Sequence, residues 1–125
     1  MRFEAGRLLL GAALALVIAH PAAAQEKQET QDKQDKSELE HRGQELLTTN
    51  CARCHAIGRT GESTHPEAPP FRTLGSRYPI DALAESLAEG LSSGHPDMPE
   101  FRFEIADVDA ILAYLNAIQD AGQKP

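Results

Sequence analysis

Beyond its first two dozen residues the chain carries too few large apolar side chains to build an ordinary core, and this shortage restricts its fold more than any other feature. From Gln25 onward there is no tryptophan, and the aromatic residues are Phe71, Tyr78, Phe101, Phe103 and Tyr114. The aliphatic residues form narrow stripes separated by long polar stretches. A domain of roughly this size seldom draws more than ~3–5 kcal/mol from its own core and is usually completed by a disulfide, a metal or another bound group. A large, flat, apolar cofactor would fill the gap and give long loops a surface to wrap.

The N-terminus sets aside part of the 125 residues. Arg2 and Arg7 precede an apolar run that extends from Leu8 to Ala19, and Ala22-Ala23-Ala24 stand before Gln25. This is the pattern of a secretion signal at residues 1–24, cleaved after Ala24. The run is shorter than the ~20 residues that cross a bilayer, so a soluble exported product without stable membrane insertion is expected, with a retained anchor as the alternative. The full chain has a net charge of −7; losing Arg2, Arg7 and Glu4 with the signal leaves −8. An acidic surface repels phosphate, which disfavours nucleic acid and anionic lipid as partners.

Residues 25–38 contain almost no apolar side chain and are expected to be a flexible polar leader. Ser37-Glu38-Leu39-Glu40 has the form of a capping box, placing a helix start at Ser37. Leu39, Gly43, Leu46 and Leu47 recur at helical spacing up to Cys51. Residues 58–75 form a loop rich in Gly and Pro, after which Pro79 opens a short helix with Ile80, Leu83 and Leu87 on one face and Gly90 at its end. A second loop, residues 92–100, leads to a last helix starting near Asp107, with Val108, Ile111, Leu112, Leu115 and Ile118 inward and Gly122 as its stop. No strand, βαβ pattern or internal repeat is visible, so the class is all-α: three to four short helices and two long loops in a domain spanning 39–121, with 122–125 as a tail.

The two cysteines stand in Cys51-Ala52-Arg53-Cys54-His55, the CxxCH pattern of covalent haem attachment. Thiols three residues apart on one turn can form thioethers to two vinyl groups of one porphyrin, and His55 then faces the iron. Three rivals use the same residues. A thiol–disulfide redox site lacks its βαβ context; a zinc site would draw on Cys51, Cys54 and two of His55, His65 and His95 with poor spacing; a Cys51–Cys54 disulfide would close a very short loop. For a second axial ligand Met98 is the foremost candidate, within His95-Pro96-Asp97-Met98-Pro99, and His95 and His65 compete with it. A carbonyl of Pro69 or Pro70 could accept the other ring N–H of His55, which makes Pro70 a candidate cofactor-site residue. Arg72, Arg77 and Tyr78 could serve the haem propionates.

The stretch from about Leu39 to Ala121 resembles the class I c-type cytochromes, specifically small bacterial monohaem proteins. The residues that carry the likeness are Asn50 to His55, Ala68-Pro69-Pro70-Phe71, Gly94 to Pro99, and Ala113-Tyr114-Leu115. The resemblance implies one haem c held through Cys51 and Cys54, first and last helices that cross closely with Gly43 as a small contact residue, and one-electron transfer in the periplasm without conversion of a substrate. It also implies redox-partner proteins of a respiratory or dehydrogenase chain, with a permanent subunit of a larger oxidoreductase as a variant of that role. The functional alternatives are a gas-binding or peroxidatic haem protein with an open sixth site, and a haem-free thiol oxidoreductase.

Overall fold

A computed structural model describes residues 22–90 and 94–119, and within them the chain is helical with no strand. Helix α1 runs from Ala22 to Asn50, two 3-10 turns cover Phe71–Ser76 and Ile80–Leu83, helix α2 follows at Ala84–Glu89, and helix α3 is Ile105–Ile118. The all-α expectation holds. The expected signal lies almost wholly outside the described residues, as does Gly122, the expected stop of the last helix.

Helix α1 departs from expectation in length. Its 29 residues extend about 43 Å at 1.5 Å per residue, and Ser37 sits in its middle rather than at its cap. Gln, Glu and Lys are good helix formers even without an apolar face. Contacts one turn apart support them: Gln31 Nε2 donates to Asp35 at 2.8 Å, Gln34 Nε2 to Glu38 at 3.4 Å, and Lys36 lies 3.7 Å from Glu40. Residues 25–38, expected as a flexible leader, are therefore helical and exposed throughout. Leu39, expected on the buried stripe, is also exposed, because α1 meets α3 only from the next turn onward.

That meeting places the core. Arg42 Nε donates to Asp107 in the first turn of α3 at 2.8 Å. One residue on, Gly43 is buried so closely against α3 that a Cβ there would lie 2.7 Å from the Ala110 carbonyl carbon and 2.9 Å from Tyr114 Cβ. The helices thus cross in backbone contact. Val108, Ile111, Leu115 and Ile118 face inward as the periodicity predicts, with Leu112 half-buried. Beyond α3, Gln119 takes the place of a stop residue. Its Oε1 accepts the Gly75 N–H at 2.7 Å, and its Nε2 donates to the carbonyls of Phe71 and Leu115 at 3.0 and 2.6 Å.

The short middle helix is divided: Pro79 leads into a 3-10 turn that tightens before α2, with Ile80 and Leu87 buried. Gly90 ends α2 as expected. Its φ of 129° is in a region closed to most side chains, and its N–H still reaches Ser86 O at 3.0 Å.

Substituting Gly43→Ala forces a methyl group against the α3 backbone. Although alanine improves helix propensity by about 1 kcal/mol, the overpacking is expected to win and lower stability by about 1–3 kcal/mol, measured by denaturant unfolding of the purified protein.

Candidate cofactor site

Helix α1 delivers the cysteine motif by continuing its turn beyond Asn50. The Leu47 carbonyl accepts from Cys51 N at 2.8 Å and Ala52 N at 3.0 Å, and the Cys51 carbonyl accepts from Cys54 N at 3.1 Å and His55 N at 3.0 Å. Asn50 caps the helix end through its own amide, which donates to Leu46 O at 2.8 Å. Cys51, Cys54 and His55 thus share one compact turn, and both thiols are free.

The following loop folds back over this turn. His65 N donates to Cys54 O at 3.2 Å, Ala56 N to Ser63 Oγ at 3.0 Å, and Phe71 N to Ala56 O at 2.9 Å. The loop brings the Pro69 carbonyl to 2.8 Å from His55 Nδ1. A carbonyl only accepts, so Nδ1 carries the proton and Nε2 keeps its lone pair. Phe71 lies against the imidazole with ring centroids 4.6 Å apart and planes tilted by 33°. His55 is therefore oriented, tautomerically fixed and basic at Nε2.

Beside this turn opens a cavity of about 450 Å³. Its lining includes Cys51, Cys54 and His55, and also Met98 from the second loop and Phe101 and Phe103 just beyond it. Core residues Leu47, Leu74, Leu87, Ile111 and Leu115 form part of the same wall. Among the described residues, only Ile111 is a large side chain sealed completely from solvent. The core is built around the cavity rather than beside it.

Of the two prolines considered, Pro69 supplies the carbonyl and lines the cavity. Pro70 does neither: its carbonyl accepts the N–H and hydroxyl of Thr73 at 3.1 and 2.8 Å, starting the first 3-10 turn. Pro70 therefore stands outside the cavity, because the chain has already turned to begin that element. Tyr78 and Arg53 are at the lining. Arg72 turns instead to Gly61 O at 2.7 Å and Glu62 at 3.6 Å, and Arg77 is not among the lining residues.

His65 and His95 also line the cavity, and each ring is tied to its own turn through Nδ1 and has Nε2 beside a carboxylate. Nδ1 of His65 accepts from Glu67 N at 3.2 Å and Nδ1 of His95 from Asp97 N at 3.4 Å. His65 Nε2 lies 3.6 Å from Asp97, and His95 Nε2 donates to Glu67. Glu67 and Asp97 were not singled out from the sequence. The signal that marks them is a short internal repeat, contrary to the expectation of none: His65-Pro66-Glu67-Ala68-Pro69-Pro70-Phe71 and His95-Pro96-Asp97-Met98-Pro99-Glu100-Phe101 share His-Pro-acid-X-Pro-X-Phe.

The cytochrome c family model matches residues 40–119, which takes in the cavity, the cysteine turn, both loops and α3. The chain belongs to the cytochrome c family. No curated protein and no solved structure matches it. Members of this family bind haem c covalently and carry electrons, and the cysteines of this cytochrome have the required CxxCH spacing. The cavity fits such a group. Its volume lies in the ~300–1,000 Å³ range of cofactor pockets, its walls are largely apolar, two thiols stand on one turn at its edge, and a lone-pair nitrogen is available on His55.

The Cys51 thiol is unlike the nucleophile of a redox dithiol. Burial, and after it the neighbouring Cys54, push the Cys51 thiol from 9.0 up to about 11, whereas reactive CxxC sites lower the pKa of their nucleophile. The folded state favours the neutral thiol. Its contribution to stability is complete below about pH 9 and is lost as pH rises through about 11. In the haem-free chain, where circular dichroism reports it folded, iodoacetamide labelling of Cys51 should have its pH midpoint near 11, falling to near 9 in urea.

Proposed function

We propose that this cytochrome is a periplasmic one-electron carrier, with one haem c attached through Cys51 and Cys54 and with His55 and Met98 as its axial ligands. The observation that carries the reading is the cavity itself: both thiols, the oriented His55 and Met98 all line it. Met98 is favoured over His95 and His65 because its thioether is a soft ligand suited to haem iron, whereas each competing imidazole accepts a backbone N–H at Nδ1 and has Nε2 beside a carboxylate.

When bound, haem c supplies a one-electron Fe(III)/Fe(II) couple, and His/Met ligation raises its potential. The protein supplies orientation and environment. The Pro69 carbonyl holds the His55 ring and strengthens Nε2 as a donor. Leu74, Leu87, Ile111 and Leu115 exclude water from the inner wall. With His55 and Met98 both holding the iron no position would be left for an exogenous ligand, so the protein would pass electrons to and from partner proteins and convert no substrate.

Export is supported by Arg2, Arg7, the apolar run from Leu8 to Ala19 and the alanines before Gln25. Among the described residues no helix is long and apolar enough to cross a membrane. The excess of acidic residues favours partners with basic surfaces around their own redox centres. Mass spectrometry of the protein recovered from the periplasm should give a chain beginning at Gln25 plus one haem; an intact N-terminus in the membrane fraction would favour a retained anchor.

The ligand assignment is tested with carbon monoxide. The reduced wild type should resist it, and Met98→Ala should bind it readily and shift the potential downward, with haem remaining attached to both under denaturing conditions. A wild type that binds carbon monoxide freely would instead establish an open-site haem protein, and a chain without attached haem would leave the cytochrome reading unsupported.

A further inference from the structure

The two copies of His-Pro-acid-X-Pro-X-Phe fold alike and interlock. In the first, Glu67 N donates to His65 Nδ1 at 3.2 Å and Ala68 N to His65 O at 3.1 Å; in the second, Asp97 N donates to His95 Nδ1 at 3.4 Å and Met98 N to His95 O at 3.2 Å. Each imidazole is thereby fixed by its own turn with Nε2 directed away from it. The side chains then exchange partners. His95 Nε2 donates to Glu67 and His65 Nε2 lies 3.6 Å from Asp97, while the two rings meet edge to face at 5.5 Å and 87°. Among the described residues no group of three or more His, Cys, Asp or Glu is disposed to hold a metal ion, so the cluster acts as a cross-tie between loops.

What the two turns carry gives the cross-tie a purpose. The first presents the Pro69 carbonyl and Phe71 to His55; the second presents Met98 and Phe101 to the cavity. Glu67 is two residues from Pro69, and Asp97 is adjacent to Met98. The second turn is not part of a helix: residues 94–100 are irregular and Gly94 has a φ of 71°. We propose that His65, Glu67, His95 and Asp97 form a reciprocal clasp that ties the loop bearing Met98 to the loop orienting His55, making them positioning residues for the sixth ligand. The proposal rests on Met98 being that ligand.

The carboxylates are about 70% exposed and the imidazoles about 30%. Pairs so placed add little to global stability but act directly on opening of the loop they pin. Stopped-flow mixing of the reduced holoprotein with carbon monoxide reads that opening, because Met98 must leave before the gas binds. Glu67→Ala and His95→Ala should each raise the binding rate, by up to about fivefold, the upper end expected for one partly exposed pair. The double variant should be no faster than the faster single. Glu67→Gln, whose side-chain carbonyl can accept the same Nε2–H, should stay near wild type. Thermal midpoints recorded alongside identify a purely structural role, which would lower them and leave the rates alone. Should Glu67→Ala fail to yield holoprotein, His65→Ala probes the other half of the clasp. A wild type that resists carbon monoxide together with alanine variants of unchanged rate overturns the clasp; a wild type that takes up the gas freely overturns Met98 ligation, and the clasp with it.

Discussion

The structure depends on an apolar cavity placed where a small domain would ordinarily put its own side chains. Leu47, Leu74, Leu87, Ile111 and Leu115 belong at once to the hydrophobic cluster and to the cavity wall. Each buries one flank against α1, α3 or the short turns and presents the other to the space a haem would take. The shortage of large side chains in the sequence and the cavity in the fold are therefore two views of one fact, and a bound cofactor completes the core.

Around that space the polar groups do specific work. The turn after α1 gathers Cys51, Cys54 and His55, yet it alone leaves the imidazole free to rotate. The loop that returns through Ser63 and His65 to Phe71 removes this freedom, because the Pro69 carbonyl fixes Nδ1 and the phenyl ring limits tilt. Long loops in so small a domain are thus explained by what they hold. The raised Cys51 thiol belongs to the same picture: it is a half-buried group that its surroundings hold neutral, not an exposed nucleophile for exchange.

Much of this was legible from residues alone, and the parts that were not have physical reasons. The cysteine motif and the stripe on α3 follow from local spacing, where few alternatives compete, whereas the role of Gly43 follows from the family resemblance. The carbonyl on His55 was narrowed to Pro69 or Pro70, and only the backbone path of the loop decides between neighbours. Helix α1 was cut short because residues 25–38 have no apolar face, whereas helix formation there rests on propensity and pairs one turn apart. Glu67 and Asp97 escaped notice because a carboxylate in a polar loop looks like solvated surface. Only their exchange of histidine partners, 28 to 32 residues away in the chain, distinguishes them.

The backbone contact at Gly43 also bears on the order in which the molecule assembles. Its two sides, α1 and α3, stand at opposite ends of the domain, so the contact forms only when the intervening chain closes on itself, at an entropic cost that grows with loop length. The cysteine turn is already complete one step beyond α1 and requires nothing from α3. Thiols that end up half-buried are consequently open to attachment chemistry on the unclosed chain, and docking of the last helix becomes the step that encloses the product.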